Sequence, residues 1–329
     1  MLKYIGKRVI YSVFLIFGVS ILIYMLAMFM PADYIDQHTA VALQSRAMNQ
    51  ADVQHLKELY GLADKSLSGI MRSYFQWVGN VFRGNLGFSF LYGKPVTQVI
   101  SQYMWLSFII AFISYVVEIL IAIPLGIRAA VHQYGAYDYT VTVLAMMGIA
   151  LPSFFLSALL INFFAIRLGW LPLTGLTSAT KMLTGLPLFM DKVWHLVLPL
   201  VVSIVLGIGG LMRYTRTNML EVLNSDYIRT ARAKGVPEKT VIYRHTFRNT
   251  LIPLVTTLGG MLPGLFSGMM ILETVFSLPG IGNMAYRATV QGDIPFIMGY
   301  NMFLAILSVL GFIISDVLYV VVDPRVKLK

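Results

Sequence analysis

Apolar residues run in six long stretches, about Val9 to Met30, Met104 to Ile127, Val141 to Leu168, His195 to Met212, Leu251 to Phe276 and Ile297 to Val322. As a helix, each is long enough to cross roughly 30 Å of hydrocarbon. The polar residues between them carry the orientation. Lys3, Lys7 and Arg8 precede the first stretch, which predicts a cytoplasmic N-terminus, and six crossings return the C-terminus, with Arg325, Lys327 and Lys329, to the same side. Arg128 and eight Lys or Arg between Arg213 and Arg248 fall on the predicted inside. The short outside loops hold only Arg167, Lys181, Lys192 and Arg287.

This pattern divides the chain into an N-terminal transmembrane helix (1–30), an extracytoplasmic region (31–100), a transmembrane core (101–322) with a cytoplasmic loop at 213–250, and a cytoplasmic tail (323–329). The first stretch is too long for a typical signal-peptide core and no small-x-small site follows it, so it is expected to remain as an anchor. Within 31–100 the run Ile70 to Phe82 reads as an amphipathic helix, with Ile70, Tyr74, Trp77, Val78 and Val81 along one side. Packing on the bundle and lying at the membrane interface both suit it. There is no low-complexity tract and no obvious internal repeat.

Composition agrees with a bilayer setting. The 329 residues are 57% hydrophobic and 12% charged, against about a quarter charged in soluble domains, and the mean hydropathy is +0.74. The net charge of +10 sits between apolar runs, as topology requires, and forms no stripe for nucleic acid. With no cysteine there is no disulfide framework and no thiolate metal site.

Catalytic chemistry has no foothold. No G-x-x-x-x-G-K-[ST] loop is present, so any ATP would be bound by another chain. His38, His55, His132, His195 and His245 are scattered, without H-E-x-x-H, and G-x-S-x-G does not occur. No metal site is expected. Charges inside the apolar stretches call for explanation, since burying one costs at least about 2.5–3.5 kcal/mol on insertion scales. Glu118, between Val117 and Ile119, fits a pore-facing or partner-bonded carboxylate, or the proton relay of a stand-alone secondary carrier. Glu273 and Asp316 read first as structural. Gly260, Gly264 and Gly268 recur every four residues and predict one helix face open to close packing or to a pathway.

The basic loop carries helix punctuation. Ser225 is placed to cap a helix from Asp226 to Lys234, Asp226 complements its N-terminal dipole, Arg232 and Lys234 suit its end, and Gly235 suits a left-handed stop. Pro237 then fits the first turn of a second helix. Tyr227, Ala231 and Lys234 share a face, with Ile228 adjacent. So short a helix is unstable alone and needs packing on its own loop or in a partner's groove.

Here the sequence resembles the permease subunits of ATP-binding-cassette importers, in the dipeptide, oligopeptide and nickel branch. Asp226 to Gly235 reads D-Y-I-R-T-A-R-A-K-G, which is similar to the branch's form of the loop that docks on the ATPase, and R-H-x-x-R-N-x-L-I-P follows from Arg244 to Pro253. Pro124-Leu125-Gly126, Leu168-Gly169-Trp170-Leu171-Pro172, Glu273-Thr274-Val275-Phe276 with Pro279-Gly280-Ile281-Gly282, and Asp323-Pro324-Arg325 fit the same branch. The N-terminal part departs from it, with Met30-Pro31-Ala32-Asp33 where P-G-D-P is usual and Lys65-Ser66-Leu67 where K-P-L is usual.

The resemblance implies an all-α polytopic membrane protein of the type I importer fold, with six transmembrane helices. It further implies a transporter subunit of a bacterial or archaeal cell membrane, and no enzyme. It would work among membrane lipid with a second homologous permease, two ATPase chains that bind ATP and Mg, and an extracytoplasmic binding protein. Asp226, Tyr227, Arg229, Ala231, Ala233, Gly235 and Arg248 would form the ATPase-coupling set, while Glu118, Gly260, Gly264, Gly268 and Glu273 would line the pathway or pack. No cofactor is expected in this chain. Peptides are the expected cargo, with nickel or short oligosaccharides as alternatives.

Overall fold

The computed structural model describes residues 2–28, 51, 66–178 and 182–322. His38, His55, Lys65, Lys181, the Met30 to Asp33 motif and the tail 323–329 lie outside the described residues.

The described chain is almost wholly helical, as a bilayer demands of backbone polar groups. Helix α1 (Leu2–Met28) is followed by α2 (Leu67–Phe82) and a minimal antiparallel pairing of β1 (Phe88–Ser89) with β2 (Lys94–Pro95). Next come α3 (Val96–Val131), α4 (Ala136–Ala150), α5 (Ser153–Leu160) with a π-helical extension Ile161–Arg167, and α6 (Gly185–Leu223). The C-terminal part holds α7 (Asp226–Ala233), α8 (Glu238–Thr240), a π-helical run Val241–Phe247, α9 (Arg248–Ser267), α10 (Met270–Val275), α11 (Ile281–Val290) and α12 (Ile294–Val322).

Among the described residues, 4 helices are long and apolar enough to span a membrane, in α1, α3, α6 and α12, and the α4–α5 pair makes up to 5. That pair corrects the reading of 141–168 as one straight segment, because it bends by 101°. The cause is local: Pro152 has no N–H to donate and pushes Leu151 into extended backbone (φ −79°, ψ 125°). The stretch 251–276 is likewise divided, since α9 stops at Gly268 (φ 72°) before α10 begins. Gly268 is therefore the break and does not continue the face that holds Gly260 and Gly264.

Small residues do bring elements together: a Cβ on Gly268 would collide with Gly282 N, and other positions act likewise. A methyl group on Gly126 of α3 would stand 2.7 Å from the Met212 carbonyl oxygen of α6, and one on Gly148 of α4 would stand 2.9 Å from that of Val205. Among the described residues, Gly260 and Gly264 have nothing within 4 Å of an added Cβ. Polar locks accompany the close crossings. Arg216 of α6 grips Asp138 of α4 through both carboxylate oxygens, at 2.6 and 2.7 Å, and the Tyr134 N–H and Thr142 hydroxyl also donate to Asp138. Arg8 meets Asp316 at 3.1 Å, which pairs Asp316 inside the bundle, from α1 to α12.

Helix α2 begins as its sequence suggests, with the Ser66 hydroxyl accepting from Gly69 N–H at 3.1 Å. Its inward face is anchored by buried Tyr74, whose hydroxyl is 2.8 Å from that of Ser20 on α1. Met71, Phe75 and Phe82 remain exposed, so the packing reading holds for one face and an apolar outer face is left over. The loop before α3 is tied down by fully buried Asp293, which accepts from the Ser89 hydroxyl and the N–H groups of Phe90, Leu91 and Phe296. Burial pushes its carboxyl above the usual range, and these hydrogen bonds pull it back.

Candidate functional site

Helix α7 is built as its punctuation requires, with one difference. Its stop is a complete Schellman closure: Gly235 N–H donates to Arg232 O at 2.9 Å and Val236 N–H to Ala231 O at 3.2 Å, with Gly235 at φ 74°. The difference is at the start. Ser225 occupies the cap position in extended backbone, but its hydroxyl donates backwards to Val222 O at 2.6 Å. The Val222 carbonyl, at the end of α6, also accepts the Ser225 N–H at 3.1 Å and has a second lone pair for the hydroxyl. The two helices are thereby tied together. Pro237 stands one residue before α8, at its cap, instead of in its first turn.

Packing decides which face shows. Ile228 is fully buried and α7 lies on the π-helical run, whose Val241 is also fully buried. Tyr227 is half exposed, with its hydroxyl 3.2 Å from Asn249 Nδ2 on α9. Asp226, Arg229, Ala233, Gly235 and Arg248 are exposed and Ala231 is partly covered, so the seven coupling candidates gather around one small projecting helix. Across the Gly235 turn, Arg232 holds Glu238 through two contacts at 2.7 and 3.2 Å, which keeps the Glu238 carboxyl below its usual range and raises the Arg232 guanidinium. Both side chains are well solvated, so the pair orients the turn more than it stabilises it. Ile228→Ala is expected to cost about 2–5 kcal/mol of local stability, seen as faster hydrogen exchange confined to 225–250.

Sequence reading did not single out Ile228 as the anchor, nor give Asn249 a role. The apolar i, i+3 spacing of Ile228 and Ala231 held the first signal. The contact from Asn249 to Tyr227 had none, because the two are 22 positions apart.

A second constellation surrounds Glu273, which is 1% exposed. Its Oε1 accepts from the Ser107 hydroxyl at 2.6 Å and Met269 N–H at 3.0 Å, and its Oε2 from Asn283 N–H at 2.9 Å. Ser107 in turn accepts from Ile281 N–H, and the Asn283 side chain donates to Leu278 O, both at 2.9 Å. A Cβ on Gly280 would collide with the carboxylate, and one on Gly282 would stand 3.0 Å from its Oε2. The Glu273 and Pro279-Gly280-Ile281-Gly282 motifs are thus two halves of one carboxylate clasp.

Glu118 is placed differently. It lines a cavity of about 600 Å³ with Ser153, Ser203, Gly207 and the chain at the α9–α10 break, and its carboxylate lies over the bare Gly207 of α6. Among the described residues, no group of three or more His, Asp or Glu is placed to hold a metal ion.

Long apolar helices, locked by close crossings and buried polar pairs, define a multi-pass helical membrane protein with a capped helix projecting from its basic loop. Residues 122–328 match the model of the binding-protein-dependent transport system inner membrane component family. The chain is 35% identical over 328 residues to the oligopeptide transport system permease protein AppB of Bacillus subtilis (strain 168), covering 99% of this chain and 100% of that protein. It is 36% identical over 332 residues to a protein of Brucella suis biovar 1 named as a peptide permease, covering 99% of each. A protein of Sinorhizobium fredii named as a peptide ABC transporter permease is 30% identical over 324 residues, 98% of this chain and 99% of its own length. The chain belongs to the binding-protein-dependent transport system inner membrane component family.

Proposed function

We propose that this chain is one of two permease subunits of an ATP-driven peptide importer, and that α7 is the element through which separate ATPase chains drive it. The observation that carries the coupling role is the Schellman-closed helix itself, anchored by one buried isoleucine and presenting small and charged side chains outward. Family membership and the peptide permeases among the relatives support the cargo. In this reading the chain crosses the membrane of the cell six times, with the split 248–275 stretch as the fifth crossing and both termini cytoplasmic. ATP and Mg are bound by two partner ATPases, and an extracytoplasmic binding protein delivers the peptide.

The mechanism follows from the connections of α7. Closure of the ATPases on ATP would displace a docked α7 as a unit, since its backbone ends are satisfied. Ser225 ties it to α6, and Asn249 with the π-helical run ties it to α9. The middle of α6 lines the Glu118 cavity and α9 leads into the break at Gly268, so a push at the loop tilts the walls of the pathway.

The chain contains no cysteine, so Ala233→Cys supplies a single thiol on the exposed face of α7. A short thiol-reactive cross-linker is expected to join it to an ATPase chain in native membranes, in a yield that changes with ATP. Peptide-competed, ATP-dependent uptake is the accompanying test of cargo. Uptake competed by nickel or a short oligosaccharide and not by peptide would replace peptide in this reading, and a proton-driven uptake without ATP would overturn it.

A further inference from the structure

We propose that Glu118 is a cargo-recognition site inside the permease, which takes the ammonium group of a peptide, its free N-terminus or a basic side chain, during passage; this rests on the peptide-importer reading above.

The argument begins with a carboxylate that has no partner. Among the described residues no group donates a hydrogen bond to Glu118 and no cation stands within ion-pair range. Glu118 is partly buried, and the fully buried acids among the described residues are all answered: Asp138 by Arg216, Glu273 by Ser107 and two N–H groups, and Asp293 by four donors. A carboxylate left over in a protein that otherwise satisfies its buried acids points to a partner that comes and goes.

The surroundings fit a passing peptide. The cavity of about 600 Å³ lies within the usual range for small-molecule sites, about 300–1,000 Å³. Its walls come from four separate stretches of helix, α3, the start of α5, α6 and the start of α10, together with Met269 at the break, so it sits where relative helix motion opens and closes it. Met269 and Met270 supply flexible apolar lining that adapts to differing side chains. Ser153 and Ser203 supply hydroxyls for peptide amides. Cargo of variable sequence offers few constant features, and an ammonium group is one of them. Its passage through a low-dielectric core is unfavourable alone, as is the burial of Glu118, and pairing offsets both. Gly207 makes the position specific, since any side chain there would occupy the space of the carboxylate.

The test compares a short peptide bearing a free N-terminus and no basic residue with its N-acetylated form, in cells expressing the complete importer. Glu118→Gln preserves size and removes charge. It is expected to lower uptake of the free-amine peptide about tenfold or more, the loss of a charge-assisted hydrogen bond, and to leave uptake of the acetylated peptide within twofold. Glu118→Asp, which restores the charge, is expected to recover discrimination in part. Because the binding protein is the same throughout, its own preference cancels in the ratio. An equal fall for both peptides, or no change for either, at unchanged membrane abundance overturns the inference while leaving the importer reading intact. Failure of the unmodified importer to take up any peptide overturns the cargo reading and this inference with it.

Discussion

Gly235→Val is expected to abolish ATP-driven uptake while leaving the chain in the membrane at normal abundance. The residue is at φ 74°, a conformation that a β-branched side chain adopts only under strain of about 1–3 kcal/mol. That corresponds to a fall of about 5- to 150-fold in the population of the closed turn. Nothing lies within 4 Å of a Cβ placed there, so the effect comes from the backbone and not from collision. Opening the turn releases both hydrogen bonds of the Schellman closure and swings Glu238 away from Arg232, so α7 no longer presents a fixed surface. ATPase activity should continue without driving uptake. Gly235→Asn, which tolerates left-handed backbone, should keep most of the function. Normal uptake by the valine variant at normal abundance would remove α7 from the coupling mechanism.

The clasp around Glu273 governs a different property. Glu273→Ala strands the Ser107 hydroxyl and the N–H groups of Met269 and Asn283 in a dry site. At about 1–3 kcal/mol for each unsatisfied group the summed loss is about 3–9 kcal/mol, comparable to the whole stability of many domains. The variant is expected to be degraded in cells, or to purify with a lowered melting temperature. Gly280→Val should do the same by forcing the carboxylate out of its pocket. Glu273→Gln retains shape and one acceptor, and should fall between. A stable, abundant Glu273→Ala protein that nonetheless failed to transport would show that the carboxylate serves the pathway rather than the fold.

The two constellations were unequally legible. In α7 every signal is local: Asp226 in the first turn, Gly235 at the stop and Pro237 beyond it act within one or two helical turns, so their order along the chain predicts their geometry. The local errors are small: the Ser225 hydroxyl turns back to Val222 of the longer helix, and Pro237 stands at the cap of α8 instead of in its first turn. The clasp joins Ser107 to Glu273 across 166 positions, and its glycines are required for their closeness to a carboxylate rather than for any turn. The regular spacing of Gly260, Gly264 and Gly268 pointed to one packing face, yet of the three only Gly268 makes a close approach, to Gly282, and it does so at the break of the helix, while helices cross closely at Gly126 and Gly148.

What this sequence determines by itself is the class of molecule and the shape of the short helix in its basic loop, because apolar length, charge bias and helix punctuation are read along a continuous chain. The tertiary structure alone decided that 141–168 folds back at Pro152, that Glu273 is walled in by Gly280 and Gly282, and that Glu118 faces a cavity without a partner among the described residues. Those outcomes depend on which helices cross and how closely. That is set by the complementarity of surfaces distant in sequence, which no single segment encodes.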